Sequence, residues 1–125
     1  MKRAALLPLV VLSLSSTAAP PAGSTWKDAK ITDMMTYTAG GPGGKGYVVV
    51  TFSANGAGNP PSCASGYPRS VAIDLSTAGG AFAASQLKMA LMAGQPITVT
   101  GTGSCSVIPT TETVASLEET AAMNR

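Results

Sequence analysis

The sequence predicts an all-β domain that contains a single α-helix. Short apolar segments with alternating inward and outward residues recur along most of the chain, and Gly- and Pro-rich stretches separate them. One segment in the second half of the chain changes to the 3.6-residue period of a helix. The length of 125 residues, of which 45% are hydrophobic and 11% charged, allows one globular domain.

Composition excludes several classes of protein. A coiled coil is incompatible with 14 Gly, 9 Pro and so few charges, and the small net charge of +2 argues against disorder. The eight Lys and Arg residues form no basic stripe, so nucleic-acid binding is not expected. The chain has no histidine, which removes Ser-His and Cys-His nucleophile pairs and His-based zinc sites. The six carboxylates fit no catalytic motif, so we predict neither an enzyme nor a cofactor or metal.

The N-terminus has the layout of a secretory signal peptide. Lys2 and Arg3 precede an apolar run over residues 4–14, and small residues follow. The run is shorter than the roughly 20 residues of a transmembrane helix. We therefore predict a signal peptide and short leader over residues 1–23 and a single domain over residues 24–125. The alternative is an N-terminal membrane anchor that is not cleaved.

Cleavage between Ala18 and Gly23, which would start the mature protein between Ala19 and Ser24, would remove two of the eight cations and leave six cations and six anions. The mature chain would then be formally neutral and would have no charge-driven affinity for a membrane. No second apolar stretch of membrane length is present. These features predict a periplasmic or secreted protein without membrane insertion after cleavage.

The two cysteines predict a disulfide. Cys63 and Cys105 are an even count in a chain that is expected to reach an oxidising compartment. Their bridge would enclose about 40 residues and stabilise the fold by roughly 4 kcal/mol. The alternative, a reactive thiol, has no histidine or CxxC partner in the sequence.

A first strand and a loop are predicted before residue 47. Residues 24–37 form a first strand, because the threonines in this stretch favour strand over helix. Residues 39–46 form a glycine-rich hairpin loop. This loop is not a phosphate-binding loop, since Gly46 follows Lys45 where such a loop needs Ser or Thr.

The second and third strands have the clearest patterns. Residues 47–53 are β-branched and aromatic throughout, with Val48, Val50 and Phe52 on one face, and both faces are apolar enough for a central strand. Residues 54–68 form a long irregular loop, which is either a functional loop or a mobile one held by Cys63. Residues 69–75 predict a half-buried strand whose core-facing residues are Val71, Ile73 and Leu75.

A helix is predicted within residues 76–94. Ser76 or Thr77 can begin it, and Gly94 followed by Pro96 ends it. The apolar face is formed by Ala83, Leu87, Ala90, Leu91 and Gly94. Met89 and Met92 are expected to fill gaps in the packing. Ser85 and Lys88 match the S-x-x-K pattern, but its companion motifs are missing, so they are interpreted as solvent-facing residues.

Two more strands complete the chain. Residues 95–103 alternate around Ile97 and Val99, and Gly101 permits a bulge. Residues 107–117 predict a fifth strand in which Pro109 indicates an edge or a bend. The element order is that of the OB-fold, a five-stranded Greek-key barrel with one α-helix between strands 3 and 4. A small β-sandwich with one helix is the competing interpretation.

The segment from the first cysteine to the last strand resembles a known group of proteins. It is similar to small exported bacterial OB-fold proteins and to the glycan-binding B subunits of subtilase-cytotoxin and pertussis-like AB5 toxins. The shared pieces are Cys63, Asp74-Leu75-Ser76, Leu87, Ala90, Gly94-Gln95-Pro96 and Gly101-Thr102-Gly103-Ser104-Cys105. The resemblance implies a homo-pentamer, a ring of five copies that each hold a sugar.

The same resemblance implies a ligand site on the first strand. The toxin subunits bind sugar with polar residues on and just after that strand, and the matching segment here carries Asp33, Thr36 and Tyr37. Tyr37 would stack on a sugar, while Asp33 and Thr36 would orient its hydroxyls. The alternative is that all three are ordinary strand residues.

Together these observations predict an exported, non-catalytic binding module for a glycan. The alternative is a periplasmic protein that binds another protein, such as an inhibitor or immunity-type protein. The mature chain is formally neutral, and such a surface suits contact with either partner.

Overall fold

The computed structural model describes residues 23–54 and 59–119. The predicted signal peptide lies outside the described residues apart from Gly23, as does the end of the C-terminal tail. The elements are β1 Thr25–Tyr37, β2 Tyr47–Ser53, β3 Ser70–Asp74, α1 Ala78–Ala93, β4 Ile97–Gly101 and β5 Glu112–Glu119, with short 3-10 turns at Pro42–Gly44 and Ser62–Ala64.

The five strands close into a barrel in the order β1-β2-β3-β5-β4. Neighbouring strands are antiparallel except β3 and β5, which run parallel. The barrel closes because the 13-residue β1 pairs with β4 through its first half and with β2 through its second half. A bulge between Trp26 and Ala29, where Asp28 has a φ of 52°, lets β1 bend between its two partners. The predicted all-β barrel with one helix is therefore confirmed.

The core fills the barrel and extends to the inner side of α1. Val48, Val50 and Phe52 of β2 face inward as the alternation predicts, and all three are buried. The indole of Trp26 meets the ring of Phe52 edge to face, with centroids 4.8 Å apart. The remaining buried members of this core are Ala29, Ile31, Val71, Ile73, Leu87, Ala90, Ile97 and Val99.

β3 is buried on both faces, so the prediction of a half-buried strand is wrong. Val71 and Ile73 face the core as expected, but Ala72 on the outward side is also fully buried. Ala64 and Val107 are two further buried apolar residues that do not belong to the barrel core. Their burial indicates that the loops before β3 and before β5 fold over the outward face of β3. Leu75 lies one residue past the strand and is half-buried.

α1 has the boundaries that its capping residues predict. The Thr77 hydroxyl accepts a hydrogen bond from the backbone N–H of Gly80 at 2.9 Å, and Gly94 ends the helix with a φ of 63°. Leu87 is fully buried in the core, and Leu91 packs against it partly buried. The inward face is therefore the predicted one.

The outward face of α1 is apolar as well, which differs from the prediction for its methionines. Phe82, Met89 and Met92 are 74%, 70% and 79% exposed, so the two methionines do not fill packing gaps. At 100° per residue they project away from the Leu87 side of the helix, and small alanines already fill the inward stripe. Across residues 23–54 and 59–119, no helix is both long and apolar enough to cross a membrane.

β5 begins at Glu112, five residues later than predicted. Residues 108–111 form a tight turn that is closed by an isolated bridge between Ile108 and Thr111. Pro109 lies within this turn, where its missing N–H and fixed φ are tolerated. The apolar residues Val107 and Ile108 thus belong to a loop on the barrel surface and not to the fifth strand.

The core position of Leu87 generates the first prediction. Leu87→Ala should lower the free energy of unfolding by about 2–5 kcal/mol, because it leaves a cavity between the helix and the barrel. Phe82→Ala is the matched control, since this exposed side chain on the same helix should change stability by less than about 0.5 kcal/mol. Urea unfolding followed by tryptophan fluorescence measures both. A loss below 1 kcal/mol for Leu87→Ala would mean that the helix does not close the core.

Candidate binding site

The three side chains predicted to bind a ligand lie on the second half of β1, and all three are exposed. Asp33 and Tyr37 are on the outward side of the barrel wall, about 13 Å apart along the strand. Thr36 is on the opposite side, since it pairs with the buried Val48 of β2. The structure therefore does not bring the three together into one site. Their role in ligand binding stays a prediction.

A different set of residues does converge. All three tyrosines of the chain, Tyr37, Tyr47 and Tyr67, line one open cleft of about 230 Å³. The cleft lies where β1 ends and β2 begins, and the loop before β5 forms its far wall. The remaining lining residues are Val49, Ile108, Thr110 and Thr111. We call this the tyrosine cleft. Of the predicted residues, only Tyr37 belongs to it.

One wall of the tyrosine cleft is a stacked pair of rings. Tyr37 and Tyr47 are cross-strand partners whose ring centroids are 4.7 Å apart at an interplanar angle of 12°. The backbone of Gly41 also lies against Tyr47, since a Cβ at position 41 would stand 3.1 Å from the Tyr47 Cδ1 atom. The Tyr37 hydroxyl donates a hydrogen bond to the Met35 Sδ atom at 2.7 Å. These contacts fix both rings before any ligand arrives.

Tyr67 stands apart from this pair. Its side chain is 55% exposed, and no aromatic ring among the described residues stacks on it. Its backbone is held in a turn, because its N–H donates to the carbonyl of Ala64 and its own carbonyl accepts from Ser70. Tyr67 is thus a fixed residue whose ring remains available to a ligand.

The disulfide ties together the two loops that line the tyrosine cleft. Cys63 and Cys105 are bonded, with their Cα atoms 6.3 Å apart, as the sequence predicts. Cys63 lies four residues before Tyr67, and Cys105 lies three residues before Ile108. The bond therefore holds the loop that carries Tyr67 close to the loop before β5.

A buried carboxylate fixes the base of the loop before β5. Glu112 is fully buried, and its oxygens accept hydrogen bonds from the Ser24 backbone N–H at 3.0 Å, the Ser24 hydroxyl at 2.8 Å and the Gly103 N–H at 3.0 Å. The carboxylate lies so close to Gly101 that a Cβ at that position would overlap it. The Ser24 hydroxyl also accepts from the N–H of Asn59, in the loop that leads to Tyr67.

Thr113 fixes the same loop further along. Its hydroxyl accepts hydrogen bonds from the backbone N–H groups of Ser106 and Val107, at 2.9 and 3.3 Å. Its own N–H donates to the carbonyl of Ser104 at 2.8 Å. The loop that presents the cleft threonines is therefore bonded at its beginning, at its middle and through the disulfide.

A larger cavity of about 330 Å³ lies between β3, β5 and the beginning of α1. Its polar groups are already used by the fold. The Asp74 carboxylate accepts a hydrogen bond from the Ser76 N–H at 2.8 Å, and the Thr77 hydroxyl caps the helix. The hydroxyl and the N–H of Ser76 lower the pKa of Asp74 below its ordinary value. This cavity is therefore a weaker candidate than the tyrosine cleft.

Within the part of the chain that the structure describes, no three Asp, Glu or Cys side chains cluster as metal ligands would. No protein-family model, curated protein or solved structure matches this chain. Function must therefore be inferred from the barrel and from the chemistry of the cleft.

The disulfide generates the second prediction. Replacing both cysteines, Cys63→Ser with Cys105→Ser, should lower the free energy of unfolding by about 4 kcal/mol, because the bond closes a loop of 42 residues. Urea unfolding of the double variant, beside the wild-type protein under reducing and non-reducing conditions, measures this change. The reduced wild type should match the variant. Equal stability of the variant and the oxidised wild type would contradict the prediction.

The buried carboxylate of Glu112 generates the third prediction. Glu112→Ala removes the carboxylate that accepts the backbone N–H groups of Ser24 and Gly103. These two donors then lose their acceptor, at a cost of about 1–3 kcal/mol in unfolding free energy. Glu118→Ala on the same strand, where the side chain is exposed, should have almost no effect. Equal urea midpoints for the two variants would show that Glu112 does not hold the loop.

Proposed function

We propose that the barrel belongs to the OB-fold class. The support is its strand order, with β3 parallel to β5 and one helix between β3 and β4, which is where the OB-fold carries its helix. OB-folds bind oligosaccharides and oligonucleotides with the face of strands 2 and 3 and with the loops after strands 1 and 4. The tyrosine cleft lies beside both of those loops.

We propose further that the protein is an exported, non-catalytic module that binds a glycan at this cleft. The observation that carries the proposal is the convergence of all three tyrosines with two threonines in one preformed cleft. An aromatic ring packs against the C–H face of a sugar, and hydroxyl groups exchange hydrogen bonds with the hydroxyls of the sugar. The lining supplies both kinds of group.

Export and the absence of catalysis have separate support. A disulfide persists in the periplasm or outside the cell and is rare in the cytosol, and the N-terminal pattern predicts a secretory signal. The lining holds no His, Asp, Glu, Lys or Cys, the residues that supply most general acids and bases. A binding role therefore fits the cleft better than a hydrolytic one.

The resemblance to toxin B subunits adds a proposal about assembly. One cleft of this size makes few contacts, so a single copy would bind weakly, and a ring of five would gain avidity. Light scattering coupled to size-exclusion chromatography measures the assembly. A mass of five chains supports the pentamer, and a strictly monomeric mass contradicts it.

Binding to another protein is the second candidate, and the outward face of α1 favours it. Phe82, Met89 and Met92 form an exposed apolar stripe, and such patches often mark contacts between proteins. Affinity purification from the periplasm with wild type and with Met89→Ser/Met92→Ser distinguishes this candidate. A specific protein that is lost with the variant, together with no glycan binding, would favour it.

The glycan proposal generates the fourth prediction. Tyr37→Ala combined with Tyr67→Ala should abolish the signal of the multimerised protein on a glycan array, because the cleft loses two of its three aromatic rings. Phe82→Ala removes an exposed aromatic ring of α1 that does not line the cleft, and it should leave the array signal unchanged. Circular dichroism confirms that each variant is folded. Absence of binding by the wild type to any glycan would contradict the proposal.

A further inference from the structure

The lack of charge in the tyrosine cleft indicates which class of sugar it would bind. The seven lining residues have no charged side chain. Lys45 and Arg69 are close in sequence to Tyr47 and Tyr67, but neither lines the cleft. A carboxylate or sulfate that entered would lose water without gaining a cation, and this costs far more than the burial of a hydroxyl.

The aromatic geometry indicates which ring meets the ligand. Tyr37 and Tyr47 already stack on each other, so one face of each ring is covered. Tyr67 has no stacked partner among the described residues and is the most exposed of the three. Its ring is therefore the free platform for a sugar, whereas the sequence predicted that Tyr37 would stack.

The size of the cleft limits the ligand. Sites for drug-sized ligands have volumes of about 300–1,000 Å³. At about 230 Å³ and open to solvent, the tyrosine cleft is smaller and fits one sugar ring, with the rest of a glycan outside. Thr110 and Thr111 also line the cleft, and their hydroxyls can exchange hydrogen bonds with the hydroxyls of such a ring.

We propose, resting on the glycan-binding function above, that the tyrosine cleft takes one uncharged hexose ring stacked on Tyr67 and discriminates against the corresponding uronic acid. The discrimination comes from the uncharged lining. Binding should therefore vary little with ionic strength, because no ion pair is formed.

Matched sugar pairs test this proposal directly. The probes are multivalent conjugates of glucose, galactose and mannose and of their uronic acids, which differ only by the carboxylate at C6. At least one neutral hexose should bind about ten-fold more tightly than its uronic acid, and its affinity should change less than about two-fold between 50 and 500 mM NaCl. Equal or tighter binding of the uronic acids would overturn the inference but leave the glycan-binding function standing. No binding of any probe, together with an empty glycan array, would overturn both.

Two variants at one position test the role of Tyr67. Tyr67→Ala should weaken binding of the preferred hexose by about ten-fold, since the stacking surface is lost. Tyr67→Phe keeps the ring and should stay within about three-fold of wild type. Unchanged affinity for Tyr67→Ala, in a variant with the wild-type unfolding midpoint, would remove Tyr67 as the platform.

Discussion

The buried carboxylate of Glu112 connects the parts of the barrel that are most distant in sequence. It is at the first position of β5, where it pairs with Val71 of β3 in the parallel register. Its oxygens also bond the residue before β1 and the loop after β4. A charge at a fully buried position is tolerated only when hydrogen bonds replace the lost water, and here three donors do so. The buried carboxylate in turn restricts position 101, because a side chain on Gly101 would overlap it.

The candidate site depends on the same hydrogen bonds of Glu112. Near the beginning of the loop before β5, the Gly103 N–H donates a hydrogen bond to Glu112. The same loop carries Thr110 and Thr111 of the cleft. The loop before β3 is linked to it by the disulfide and carries Tyr67. Both loops cover the outward face of β3, where Ala72 is fully buried. The cleft is therefore formed by loops that are already ordered in the fold. Binding of a ligand would lose little free energy to the ordering of these loops.

Local features of the fold could be predicted from the sequence. The alternation in β2 identified Val48, Val50 and Phe52 as core residues, and the caps at Thr77 and Gly94 set the helix. The cysteine count predicted the disulfide correctly. These features depend on neighbouring residues or on a simple count, and both are visible in a single sequence.

Features that depend on distant contacts could not be predicted. The period of β3 shows that one face is buried, but it cannot show that two loops cover the other face. Val107 and Ile108 look like the start of a strand, yet Pro109 turns the chain before the ladder begins. Tyr67 joins Tyr37 only because the barrel and the disulfide bring their segments together. The one available signal was that all the tyrosines of the chain flank loops.

Chemical-shift mapping of the isotopically labelled, disulfide-bonded protein tests most directly whether the tyrosine cleft binds sugar. The titrants are the methyl glycosides of glucose, galactose and mannose. For at least one of them, the backbone signals of Val49, Tyr67 and Thr110 should shift in a saturable manner, while those of Phe82, Met89 and Met92 on the outward face of α1 stay unchanged. Saturable shifts confined to α1, or no shift with any of the three sugars at millimolar concentration, would contradict a glycan site in the cleft.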